Sequence, residues 1–118
     1  MKDLDPSITR QRLLIEATYD REITESDVRD CLNGLAGSLE LRTYGEPIIH
    51  SPSGQGSPEN QGFDAFVPLI DSGISLYIWT NKKFMSSVLY TCKSFDSLRA
   101  VEFIESFFNA TEIEYQEF

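Results

Sequence analysis

Apolar and polar residues alternate from about Arg12 to Tyr19, with Leu13, Ile15 and Ala17 on one parity, which predicts a first strand. The nine residues before it are polar and contain Pro6, and read as a loose leader. From Thr24 the period lengthens. Val28, Cys31, Leu32 and Leu35 recur at three- and four-residue spacing, with Thr24 as N-cap, Asp27 at the capping-box position and Gly37 as a stop, so a helix follows. Leu39 to Ile49 returns to extended character, and Ser51 to Gly62 is a Ser/Pro/Gly/Gln-rich loop. Three strands are predicted next, Phe63 to Asp71, Ile74 to Thr80 and Phe84 to Cys92, with turns at Ser72-Gly73 and Asn81-Lys82-Lys83. Ser94 with Ser97 opens a second helix striped by Leu98, Val101, Ile104 and Phe108, and Glu112 to Phe118 adds a last strand. The predicted order is βαββββαβ.

Within the middle strand Ile74, Leu76 and Ile78 face one way and Ser75, Tyr77 and Trp79 the other. The aliphatic face suits packing under two helices. A tyrosine and a tryptophan need partners for their polar tips and suit a ligand site, a second sheet or a dimer contact. The architecture expected is an α+β two-layer sandwich, an antiparallel sheet with both helices on one face and a second copy against the other.

Length and charge narrow the classes. At 118 residues, 41% hydrophobic and 25% charged, the chain is expected to form one domain over 1–118, not a fibre, coiled coil or disordered tail. A formal charge of -9 repels phosphate backbones and anionic lipid, so neither nucleic acid nor membrane is an expected partner, and it favours small cationic ligands. Solubility alone would also account for excess carboxylates. Two cysteines, Cys31 and Cys92, fit neither a disulfide framework nor a four-ligand zinc site. With no signal-like start and no long apolar run, a reducing, cytoplasmic setting is expected.

No phosphate loop, nucleophile elbow or paired histidines occur, and His50 is the only imidazole. A Ser-His-Asp or Cys-His mechanism would have to run through that loop-flanking residue. Metal binding there lacks the spacing that brings ligands together, so no metal is expected.

From Ile70 the chain reads Ile-Asp-Ser-Gly-Ile-Ser-Leu-Tyr-Ile-Trp-Thr, and a hairpin later it reaches Tyr90-Thr91-Cys92. This segment resembles the prokaryotic S-adenosylmethionine decarboxylase family. Members carry Glu-Ser-His, a strand ending His-Thr-Trp-Pro-Glu, a strand ending Phe-Thr-Cys and then a helix. The spacing agrees without a gap from Asp71 to Cys92, and Leu13 to Glu22 resembles the family's first strand and turn. The resemblance implies a chain that cleaves itself before a serine, which becomes a pyruvoyl group and forms a Schiff base with the substrate amine. It makes Ser72 the latent pyruvoyl residue, Cys92 the proton donor, Asp71 the cleavage-site partner and Glu16 an acidic substrate contact, although a surface carboxylate on an edge strand is an equal reading of Glu16; Trp79 is a candidate substrate contact by its aromatic ring.

Departures fall on the self-cleavage residues. Tyr77 replaces the processing histidine, Asp71 the glutamate and Gly73 the histidine after the serine; the family's Trp-Pro-Glu is Trp79-Thr80-Asn81, and Asp64 stands near the assisting serine. The expected protein is an uncleaved homologue related to polyamine biosynthesis. It would bind an S-adenosyl compound or polyamine, with Tyr77 and Trp79 against an adenine or a cation, as a homodimer or paired with an active paralogue. The alternative is an active, self-cleaving pyruvoyl-dependent decarboxylase of S-adenosylmethionine or a related amino acid.

Overall fold

In strand β1 (Gln11–Thr18) the alternation turns Leu13, Ile15 and Ala17 inward and leaves Arg12, Leu14, Glu16 and Thr18 on the opposite face. The computed structural model describes residues 1–52 and 54–118; Ser53, within the predicted Ser51 to Gly62 loop, lies outside them. Helix α1 (Glu25–Ser38) and strands β2 (Ile48–His50), β3 (Gly62–Leu69), β4 (Ser72–Trp79) and β5 (Phe84–Thr91) follow, then α2 (Ser97–Phe108) and β6 (Glu112–Glu117). The six strands form one sheet in the order β2-β3-β4-β5-β1-β6, antiparallel at every pairing. Both helices cover the same face, α1 over β3 and β4 and α2 over β1, so the α+β two-layer sandwich read from the sequence is the fold.

The core lies between these layers. Leu13, Ile15, Leu69, Ile74, Leu76, Met85 and Leu89 from the sheet meet Val28, Leu32, Leu35, Ile104 and Phe108 from the helices, all essentially sealed from solvent. Each such side chain contributes roughly 1.5–3 kcal/mol of transfer free energy. The helices approach closely at Gly34, where a Cβ would stand 2.7 Å from the Phe103 ring.

Local chemistry sets the helix ends. Thr24 and Asp27 form the predicted capping box: Asp27 N–H donates to Thr24 Oγ1 at 3.2 Å, and Thr24 N–H donates to Asp27 Oδ2 at 2.9 Å. The bond from the Thr24 amide holds the Asp27 carboxyl below its usual range. Gly37 does not stop the helix. The chain leaves through Glu40 at φ 57°, with Glu40 N–H donating to Gly37 O and Leu41 N–H to Ala36 O, the pattern of a Schellman motif with glutamate where glycine is usual. The second helix is capped by Asp96, which accepts from Arg99 N–H at 3.2 Å, rather than by Ser94 or Ser97.

Three further boundaries differ from the sequence reading. Strand β2 spans only Ile48–His50, because Leu39 and Leu41 are buried by the helix exit and not by strand pairing. The β3–β4 turn is Ile70-Asp71, so Ser72 already belongs to the strand, opposite Leu69. Leader residues fold back on themselves through an Arg10–Asp3 ion pair and an Asp5–Ser7 turn. Among the described residues no helix is long and apolar enough to cross a membrane.

Candidate functional site

The face away from the helices carries the other parity of every strand, and the register sorts it into rows. One row runs Trp79, Phe84, Thr18, Glu112. The next runs His50, Asp64, Tyr77, Ser86, Glu16, Glu114, and the third Ile48, Phe66, Ser75, Val88, Leu14, Gln116. Beyond them Gly73, Tyr90 and Arg12 lie side by side, with Phe118 N–H donating to Arg12 O. Among the described residues no helix covers this face, and Ile48, Phe66, Tyr77, Tyr90 and Phe118 are among the exposed large apolar side chains.

At the hairpin end Ser72 and Cys92 come together, Oγ to Sγ 3.0 Å. Strand alternation alone would turn Ser72 toward the helices with Ile74 and Leu76; its φ of 120° departs from the extended geometry of the strand it begins. A side-chain-bearing residue is strained at that φ, and the Cys92 contact is made from it. Cys92 N–H also donates to Asp71 O at 3.0 Å. That carbonyl belongs to the Asp71-Ser72 peptide bond. If Ser72 Oγ attacked it, negative charge would develop on an oxygen that already has a backbone donor, the arrangement that stabilises an oxyanion. Beside it a Cβ on Gly73 would fall 2.4 Å from the Phe66 ring, so the histidine that the family resemblance places at 73 has no room unless Phe66 moves.

The remaining sequence-predicted residues are elsewhere on the face. Tyr77 lies five residues along β4 from Ser72, about 16 Å at a strand's ~3.3 Å rise, and Trp79 is farther still. Neither reaches its own Ser72–Cys92 pair. Trp79 packs on Phe84 with ring centroids 5.3 Å apart. Glu16 is not on an edge strand, because β1 is flanked by β5 and β6, and its Oε2 accepts from Ser86 Oγ at 2.8 Å. It lines a cavity of about 150 Å³ with Thr18, Phe84, Glu112 and Glu114. Glu16 and Glu114 stand directly opposite each other in the β1–β6 ladder, a like-charge pairing that a bound cation would relieve. The sequence reading passed over Arg12, Phe66 and Ser86. Their parity within the strands, which puts all three on the uncovered face, is the signal that was available.

An antiparallel sheet layered on one side by two helices, with a serine at the mouth of a hairpin set against a cysteine at the end of the next strand, defines a narrow structural class. The structure superposes on the adenosylmethionine decarboxylase from Aquifex aeolicus VF5 with a TM-score of 0.71, at 22% identity, over 94% of this chain and 89% of that one. A search of curated proteins finds no match. The sequence matches the S-adenosylmethionine decarboxylase family over residues 15–118, and the chain belongs to that family, whose members are in general pyruvoyl-dependent.

Proposed function

We propose that this chain is a member of the family that remains in one piece and uses the uncovered sheet face to bind an S-adenosyl compound or a polyamine. The observation that carries this reading is Tyr77. The residue at the processing position is a phenol, which exchanges protons far less readily near neutral pH than an imidazole does. The only imidazole, His50, lies in the same cross-strand row but two strands away, on β2. Breaking the Asp71-Ser72 bond needs a group that moves a proton after Ser72 Oγ has attacked, and no imidazole stands at position 77 to do it. Acidic side chains on the face, Asp64, Glu16, Glu112 and Glu114, favour a cationic ligand, and Trp79 with Phe84 offers an aromatic surface for an adenine or a sulfonium.

Two copies packed face to face would cover the exposed apolar side chains of this face. We therefore read the working unit as a homodimer, or as a heterodimer with an active paralogue. A second reading, self-cleavage with decarboxylase activity, is favoured by the Cys92 N–H on the Asp71 carbonyl and by the φ of Ser72.

Intact-mass spectrometry of the purified protein decides between them. One mass near 13.4 kDa is expected. Two masses corresponding to residues 1–71 and 72–118, the second blocked at its N-terminus, would overturn the proposal. Tyr77→His is expected to yield a measurable 72–118 fragment; if it stays whole, the lost capacity lies beyond the imidazole at this position.

A further inference from the structure

Gln11 begins β1 on the parity of Leu13, Ile15 and Ala17, the side that faces the helices, where an apolar residue is the rule. A half-buried carboxamide there needs partners for its two N–H donors and its oxygen. It finds most of them on one residue. Phe95 N–H donates to Gln11 Oε1 at 3.0 Å, and Gln11 Nε2 donates to Phe95 O at 2.9 Å, so the side chain pairs with the Phe95 main chain as a neighbouring strand would. Nε2 also donates to Ser97 Oγ at 3.0 Å, at the start of α2, and to Glu117 Oε1 at 3.4 Å, at the end of β6.

On the other side of Cys92, Gln11 is the register partner of Thr91. One residue therefore fastens the chain both just before Cys92 and shortly after it. The buried Thr91 braces the same turn, its Oγ1 donating to Lys93 O at 2.6 Å, and the Phe95 ring packs against the core. Cys92, Lys93 and Ser94 between these fixed points are all exposed, so core packing does not hold them. Yet Cys92 makes two contacts with the β3–β4 hairpin, Sγ with Ser72 Oγ and N–H with Asp71 O, both at 3.0 Å. We infer that Gln11 is the positioning residue of the Ser72–Cys92 pair: by clamping Phe95 it sets the short span from which Cys92 presents its thiol to Ser72 and its N–H to the Asp71 carbonyl. This goes beyond the proposed function, since it concerns the uncleaved chain from which either reading of that function starts.

Gln11→Met in the full chain keeps the side chain's length, suits the apolar parity and removes the clamp. Backbone hydrogen exchange is expected to quicken at least about tenfold at Phe95, which loses its acceptor, and at Cys92, which loses only its placement, while the centres of β1, β4 and β5 keep their rates. Gln11→Glu, which keeps the acceptor for Phe95 N–H and loses the donor to Phe95 O, is expected to fall between wild type and Gln11→Met. Quickening at Phe95 alone, or equally along every strand, overturns the positioning role: the first confines Gln11 to its own hydrogen bonds, and the second is plain loss of stability. The thiol gives a second readout. Alkylation by iodoacetamide, followed by intact mass, reports on the exposed Cys92 as long as the buried Cys31 stays unreactive. Ser72→Ala is expected to change the Cys92 rate in the wild-type background and to make no further change beside Gln11→Met, because the displaced thiol has already left Ser72. An equal effect of Ser72→Ala in both backgrounds, or none in either, overturns the proposal. Should Cys31 react in Gln11→Met, a sign that the fold has loosened, Gln11→Glu carries both readouts with the same outcomes.

Discussion

Ser72 gives the most direct test of how the site is held. Its φ of 120° is one that L-residues rarely adopt, at a cost of about 1–3 kcal/mol, and glycine escapes that cost. Replacing serine by glycine alone would mix strain relief with loss of the 3.0 Å contact to Cys92 Sγ. Comparing Ser72→Gly with Ser72→Ala removes the confusion, since both lack the hydroxyl and neither can be cleaved by it. Glycine adds about 0.5–1 kcal/mol of unfolded-chain entropy relative to alanine. The difference left in favour of Ser72→Gly is therefore up to about 2.5 kcal/mol. Urea unfolding of both variants, with equal slopes and shifted midpoints, measures it, and in a thermal scan it corresponds to an upward shift of as much as roughly 10 °C for a domain of this size. A Ser72→Ala protein more stable than Ser72→Gly would show that the backbone at the hairpin is relaxed and that the Ser72–Cys92 contact is made without strain.

Two other substitutions test the fold around the site. Tyr19 packs on Phe108 at 5.1 Å between ring centroids, but its hydroxyl is buried without a partner. Tyr19→Phe is therefore expected to leave stability unchanged or raise it by about 1 kcal/mol. Burial pushes the Tyr19 phenol up to about 12 from 10.0, so its contribution is full below pH 10 and drains away as pH rises from 10 toward 12. Tyr19→Phe should flatten that part of a urea-midpoint profile, while the loss beginning near pH 9 from the buried Cys31 thiol, also raised by burial, remains; an identical slope in the variant would refute the assignment. Glu40→Gly at the helix exit, φ 57°, should stabilise by about 0.5–1 kcal/mol in the same assay, and a loss of stability would mean that the glutamate side chain makes a compensating contact.

The element order and the layer architecture were legible because they follow from local periodicity, which burial reproduces residue by residue in β1 and β4. Errors arose where one signal serves two structures. Leu39 and Leu41 look like strand residues, but they are apolar because the helix exit crosses the core. Ser72-Gly73 has turn chemistry, yet the loop closes one step earlier, at Ile70-Asp71, and displaces its unusual φ onto the serine. Glu16 seemed an edge residue because nothing in local sequence shows that the first strand inserts between β5 and the last strand. That pairing joins residues about a hundred positions apart, and only closure of the whole sheet fixes it.

The same distinction separates the two halves of the site. Ser72 and Cys92 were named from the family resemblance; the hairpin register sets Ser72 opposite Thr91, and the Ser72–Cys92 contact is made from a φ of 120° that no strand pattern announces. Arg12 was passed over, since its place beside Tyr90 is fixed only by the β1–β5 ladder and a lone arginine in a strand pattern reads as solvated. Tyr77 and Trp79 lie on the parity away from the helices, as their alternation with Ile74, Leu76 and Ile78 predicted, but parity says nothing about distance along the strand. Tyr77 lies about 16 Å along its strand from its own Ser72, so the dimer we propose is the arrangement that would join the two, and mixing Ser72→Ala chains with Tyr77-altered chains tests it. The residues of the site are thus a property of one sheet, and their convergence, on the dimer we propose, is a property of two.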